Sequence, residues 1–231
     1  MRKKALKKWL ISAVLVIVFV SAAFFVYLSF YYPADEDSVA AIAMEDGIEV
    51  RDNITILSPS ASTDTALIFY PGAKVESRAY LPILDNIRDR GIMCILVDMP
   101  FRMAFFDVDA AEDIFPDFLE IEHWYIGGHS LGGSMASAFA SNHEEDIDGL
   151  ILLGAYVYGD YPTQKSLTIY GSLNTSVEEK VDYNDNVVVI EGGNHAQFGN
   201  YGPQRGDAEA LISAEEQQEI AADAIEEFIN P

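Results

Sequence analysis

The stretch Ile126-Gly127-Gly128-His129-Ser130-Leu131-Gly132-Gly133 constrains the fold more than any other part of the chain. Gly128-x-Ser130-x-Gly132 is the pattern of a nucleophile elbow, a tight turn between a strand and a helix that holds a serine hydroxyl clear of the backbone. The glycines are needed because a side chain there would collide with the crowded turn. His123-Trp124-Tyr125-Ile126 before it reads as a short strand, and Leu131 to Ser141 after it reads as a small-residue helix. The plainer reading is a glycine-rich turn that only packs a helix closely.

The sequence on either side keeps the same rhythm. Ile48-Glu49-Val50 and Ile54-Thr55-Ile56-Leu57 read as an antiparallel opening pair. Buried strands are expected at Ala66–Tyr70, Ile92–Val97, Leu150–Leu153, Ser166–Tyr170 and Val187–Ile190. Helices are expected over Ser77–Arg90, ended by Gly91, and over Asp107–Glu120, disturbed at Pro116. Ser213-Ala214-Glu215-Glu216 is a capping box opening a last helix that buries Ile220, Ala224, Ile225 and Phe228. Continuous apolar strands alternating with amphipathic helices predict an α/β fold, a mainly parallel sheet covered on both faces.

Half of the 231 residues are hydrophobic, enough for one domain with a proper core. The formal net charge is −23 and is unevenly placed. Five of the 14 basic residues (Arg2, Lys3, Lys4, Lys7, Lys8) fall in the first eight positions, which leaves nine against 37 acidic residues in the rest. Such a surface repels phosphates, so nucleic acid is not an expected partner. Trp9 to Tyr32 is an uncharged apolar run, interrupted only by Ser12, Ser21 and Ser29. As a helix it would measure about 36 Å, enough to cross a bilayer. With the basic cluster in front, the N-terminus should stay in the cytoplasm and the remainder outside. The rival reading is a cleaved signal peptide ending near Val20-Ser21-Ala22. The expected organisation is a basic N-terminus (1–8), a transmembrane anchor (9–32), a linker (33–46) and one folded domain (47–231). The single cysteine, Cys94, reads as a small buried core residue. No cysteine and histidine spacing suggests zinc, and neither a metal nor an organic cofactor is expected.

A serine hydroxyl needs a base to take its proton. Of the four histidines, His129 adjoins the serine and should point away, while His123 and His143 read as surface residues. His195, in Glu191-Gly192-Gly193-Asn194-His195, follows the last buried strand. In a parallel sheet the C-terminal strand ends share one edge, so Ser130 and His195 can converge. An oxyanion hole needs backbone N–H groups aimed at the developing charge. Leu131, just after the serine, and Ala73, in Pro71-Gly72-Ala73-Lys74, are the expected donors.

The order of strand, Pro-Gly loop, serine elbow and late histidine resembles the α/β-hydrolase fold superfamily. More narrowly, Phe69-Tyr70-Pro71-Gly72-Ala73-Lys74-Val75-Glu76, Val97-Asp98-Met99-Pro100 and Gly192-Gly193-Asn194-His195-Ala196-Gln197-Phe198-Gly199 resemble a bacterial group of small, often membrane-anchored α/β-hydrolases. The similarity runs roughly from Gly47 to Phe228. It implies a serine hydrolase with a Ser-acid-His triad, and Ser130 and His195 match two of its members. The third departs. Where the group carries Gly-x-x-Asp, this chain reads Gly171-Ser172-Leu173-Asn174. Asn174 can still orient an imidazole. Asp160 is the alternative source of an acid, and Glu178 and Glu179 are further candidates. The expected activity is hydrolysis of an ester or related acyl bond in a small-molecule substrate, by a domain tethered outside the membrane. The alternative is a non-catalytic descendant that keeps the fold to bind a ligand.

Overall fold

The computed structural model describes residues 2–230, in two units that divide between residues 31 and 32. The first is one helix, α1 (Arg2–Ser29). Its stretch Lys7–Ser29 is long and apolar enough to cross a membrane, with a mean hydropathy of 2.7 over its most apolar window. The helix ends three residues before the expected limit at Tyr32. Tyr32 instead belongs to the second unit as a short parallel bridge to Val75. The Tyr32 N–H donates to the Lys74 carbonyl at 2.7 Å, and the Glu76 N–H donates to the Tyr32 carbonyl at 2.9 Å.

Residues 33–46, expected as a linker, pack into the second unit. They carry the short helix α2 (Glu36–Val39), and Val39 is fully buried in the core. Then comes an eight-stranded sheet with β1 (Ile48–Arg51), β2 (Ile54–Leu57), β3 (Thr65–Tyr70), β4 (Met93–Val97), β5 (His123–His129), β6 (Gly149–Leu153), β7 (Ser166–Gly171) and β8 (Val187–Ile190). Its spatial order is β1-β2-β4-β3-β5-β6-β7-β8. The β1–β2 and β2–β4 pairs are antiparallel, and every other pair is parallel.

The pleat divides the core in two. On β3, Leu67 and Phe69 face one layer with Leu84, Ile87, Ala221 and Ile225 of α3 (Leu81–Asp89) and α6 (Ala214–Ile229). Ala66, Ile68 and Tyr70 face the other layer with Ala136 and Phe139 of α4 (Leu131–Asn142). Both faces are covered, which is why the central strands read as continuous apolar runs rather than alternating ones. Cys94 is fully buried there, and burial pushes its thiol well above the ordinary range, which suits a packing role.

Three local expectations are corrected. The helix expected from Ser77 begins as a 3-10 turn (Ser77–Tyr80), and α3 proper starts at Leu81. Pro82 fixes that start, because it lacks an N–H and fits only the first turn. The segment 107–120 is not an α-helix but a run of turns with one 3-10 turn at Phe115–Asp117. Pro116 removes a donor, and Tyr70 holds the backbone elsewhere. Its hydroxyl donates to the Val108 carbonyl at 2.9 Å and accepts the Ala111 N–H at 3.0 Å. In α6 the capping box forms, with the Ser213 Oγ accepting the Glu216 N–H at 3.1 Å. The buried face, however, is Gln217, Gln218, Ala221, Ala222, Ile225 and Ile229, while Ile220 is exposed.

Candidate active site

Five chain segments leave the C-terminal edge of the parallel strands close together. After β5 comes Ser130, at φ 53° and ψ −121°, a conformation that costs a non-glycine residue free energy and survives only where its surroundings enforce it. Here the Ser130 N–H donates to the Leu153 carbonyl at 3.0 Å, at the end of β6. Gly132 lets the head of α4 approach the loop after β3: a Cβ there would lie 2.1 Å from the Tyr70 carbonyl oxygen and 2.4 Å from that of Pro71. Both contacts are with backbone, so Gly132→Ala should destabilise the fold by about 3 kcal/mol. Thermal unfolding would measure it, and an unchanged midpoint would contradict the tight approach.

Ser130, Leu131, Gly154, Asn174 and His195 line one cavity of about 680 Å³. The Ser130 hydroxyl itself makes no hydrogen bond among the described residues. His195 is the fifth residue after β8, and its ring lies against Gly154, where a Cβ would come within 2.9 Å of its Nδ1. The Asn174 amide nitrogen sits 2.8 Å from that Nδ1, and the Ser176 hydroxyl donates to the amide oxygen at 2.9 Å. An amide can turn half-way round, and the Ser176 hydroxyl can also accept, so either end of Asn174 can face the ring. Asn174 is buried. Asp160, by contrast, is exposed and lines a different groove with Val157, Tyr161 and Tyr183. Glu178 and Glu179 are exposed at the end of the short helix α5 (Thr175–Glu178).

His129 points away from the cavity and is fully buried. Its Nε2 lies 2.9 Å from the His195 carbonyl oxygen, which can only accept, so Nε2 carries the proton. Its Nδ1 then accepts from the Tyr80 hydroxyl at 2.8 Å, and that oxygen accepts the Gly72 N–H at 3.0 Å. A single buried relay thus joins the Pro71–Lys74 loop, the elbow and the His195 loop. Burial, and secondarily the neighbouring His195, hold the His129 pKa well below the ordinary histidine value. The His195 pKa is also lowered by burial, partly offset by Asp207.

Other groups that hold the His195 loop were not legible in the sequence. The fully buried Gln217 clamps Asn194: its Oε1 accepts the Asn194 N–H at 3.0 Å and its Nε2 donates to the Asn194 carbonyl at 2.9 Å. The Asp207 carboxylate accepts backbone N–H groups of His195 at 3.2 Å and Ala196 at 2.7 Å. It therefore braces the backbone of the histidine, while Asn174 meets its ring. A glutamine four residues before Ala221 and eight before Ile225, on their face of the helix, was the available signal for Gln217. Asp207, in an irregular loop, offered none. Leu131 lines the cavity at the start of α4; Ala73 lies outside its walls, although the Gly72 N–H beside it is tied to the elbow through Tyr80 and His129. Among the described residues, no group of three or more His, Cys, Asp or Glu is placed to hold a metal ion.

A serine on a strained strand-to-helix turn that shares a cavity with a late-loop histidine, at the C-terminal edge of such a sheet, is the arrangement of hydrolases of the α/β class. A family model described as the alpha/beta hydrolase family matches residues 66–219, and the chain belongs to that family. Among solved structures it is similar to Est1E from Butyrivibrio proteoclasticus, with a TM-score of 0.57 at 16% identity over 80% of this chain and 98% of that one. It is also similar to a soluble variant of monoglyceride lipase from Saccharomyces cerevisiae, with a TM-score of 0.55 at 10% identity over 79% of this chain and 93% of that one. A curated relative, described as a non-heme haloperoxidase of Mycobacterium phage D29, is 25% identical over 117 residues. That match spans 47% of this chain and 42% of the phage protein, less than half of its length.

Proposed function

We propose that the protein is a serine hydrolase that cleaves an ester or related acyl bond through an acyl-enzyme. The observation that carries this reading is the shared cavity of Ser130, in its strained turn, and His195, with an amide on its Nδ1. Ser130 Oγ attacks the carbonyl. His195 takes the proton on Nε2 and returns it to the leaving group. For that, Nδ1 must hold its own proton and donate it to the Asn174 oxygen, with the amide nitrogen turned to Ser176. The lowered pKa of His195 keeps its ring neutral, and so able to accept, at pH 7. The Leu131 N–H, at the cavity wall, stabilises the oxyanion. Similarity to a monoglyceride lipase favours acyl-ester chemistry as the reaction class. Fluorophosphonate labelling tests the assignment: the adduct should map to Ser130. The rival reading, a binding protein that has lost its triad acid, gains if the probe leaves Ser130 unmodified while labelling control hydrolases.

The chain is further proposed to be anchored by α1 with the hydrolase unit outside the cytoplasmic membrane. The support is an apolar helix long enough to span, with Arg2, Lys3, Lys4, Lys7 and Lys8 clustered at its N-terminal end. Protease added to spheroplasts should digest the hydrolase unit. Protection until the membrane is broken would reverse the orientation, and a soluble form lacking residues 1–22 would favour a cleaved signal.

A further inference from the structure

Two charged residues, Asp207 and the exposed Arg205, are among those that line the cavity. They differ in what they are already doing. The Asp207 carboxylate is engaged by the backbone N–H groups of His195, Ala196 and Ala208. Its oxygens are thereby occupied by backbone donors, and its charge acts on His195. Arg205 has no carboxylate within ion-pairing distance among the described residues. This sets it apart from Arg51, Arg78, Arg88 and Arg90, each of which pairs with at least one Asp or Glu. In a chain with 37 acidic residues, an arginine without an acidic partner is unusual, and this one lines the cavity that holds Ser130.

Its backbone is nevertheless held. The Arg205 N–H donates to the Tyr32 hydroxyl at 3.3 Å. Gly202 and Gly206 on either side adopt φ of +77° and +91°, which shapes the loop that presents it. The neighbouring Gln204, with Ser134, Thr175 and Ser176, makes the walls hydrogen-bonding rather than greasy.

We infer that Arg205 selects a substrate carrying a carboxylate, so that the preferred ester is an anion. This rests on the serine-hydrolase reading and names its substrate class. A guanidinium offers two parallel N–H donors that match a carboxylate and distinguish it from a neutral group. One arginine balances one negative charge. A phosphate monoester, with nearly two, would meet more repulsion from the acidic surface than Arg205 offsets. That same surface disfavours anions elsewhere on the molecule, so the local cation decides where one can bind.

The test uses the full chain in an uncharged detergent and two chromogenic esters of similar length: mono-4-nitrophenyl glutarate, an anion, and 4-nitrophenyl butyrate, which is neutral. The readout is the ratio of kcat/KM for the glutarate over that for the butyrate. Arg205→Gln should lower this ratio at least tenfold, mainly through KM for the glutarate. Arg205→Glu should lower it further, and Arg205→Lys should fall between Gln and the wild type. A ratio that stays the same in Gln and Glu variants still able to turn over butyrate overturns the selection by Arg205 and leaves the hydrolase standing. Absence of Ser130-dependent turnover of either ester, together with absence of fluorophosphonate labelling, overturns both.

Discussion

Ser130→Ala is expected to abolish fluorophosphonate labelling and to reduce ester hydrolysis by on the order of 10⁴-fold or more, to the background of the remaining groups. In the proposed mechanism the hydroxyl supplies the nucleophile, and it makes no hydrogen bond among the described residues, so its removal should cost chemistry and almost nothing in stability. Alanine in place of serine keeps a Cβ at the same positive φ, so the turn has the same strain to bear. The expected pattern is a normal thermal midpoint with catalysis gone. Turnover of short acyl esters by clean Ser130→Ala protein at the wild-type rate would remove Ser130 from the mechanism. Loss of activity together with a large drop in the midpoint would point to a structural role for the hydroxyl instead.

The elbow turn, the order of the strands along the chain and the arrival of the Ser130 and His195 loops at one cavity could be read from the chain. Gly128 and Gly132 mark the turn, and apolar runs mark buried strands. The edge shared by parallel strands then brings distant loops to one place. What could not be read depends on tertiary partners. The α6 face is set by Gln217 reaching Asn194, and apolar periodicity alone placed Ile220 on the wrong side. The failure of 107–120 to form a helix follows from Tyr70, which lies far away in sequence and takes up the Val108 and Ala111 backbone groups. The linker expected over 33–46 packs because Val39 finds the core and Tyr32 pairs with the loop after β3, neither of which an alanine-rich acidic segment advertises. The direction of the His129 side chain was legible from its place beside the serine. Its partners, Tyr80 and the His195 carbonyl, were not.

In the proposed mechanism Asn174 decides how far the site works below its capacity. An amide on the His195 Nδ1 can fix the ring's orientation and tautomer, but it carries no charge to stabilise the imidazolium that forms as Ser130 gives up its proton. In a serine protease the change from aspartate to asparagine lowers turnover about ten-thousand-fold. Here Asn174→Asp should therefore raise kcat, by about tenfold or more, because a carboxylate would take up a contact the amide already makes at 2.8 Å. The gain should be largest above neutral pH. In the wild type, burial holds the His195 pKa below the ordinary histidine value, so activity should rise with pH through a limb below 6.5 and then level off. A carboxylate at position 174 favours the protonated ring, which moves that limb to higher pH. The variant should thus gain at alkaline pH and lose part of its advantage in acid, where its histidine is charged and cannot accept a proton. Asp160→Asn is the control and should change neither kcat nor the limb, since Asp160 is exposed in another groove. A pH–rate profile of the three proteins separates the cases. If Asp160→Asn costs several orders of magnitude while Asn174→Asp leaves both turnover and limb where they were, the orienting role passes from Asn174 to Asp160, and the loop between β6 and β7 must close over the site in the working enzyme.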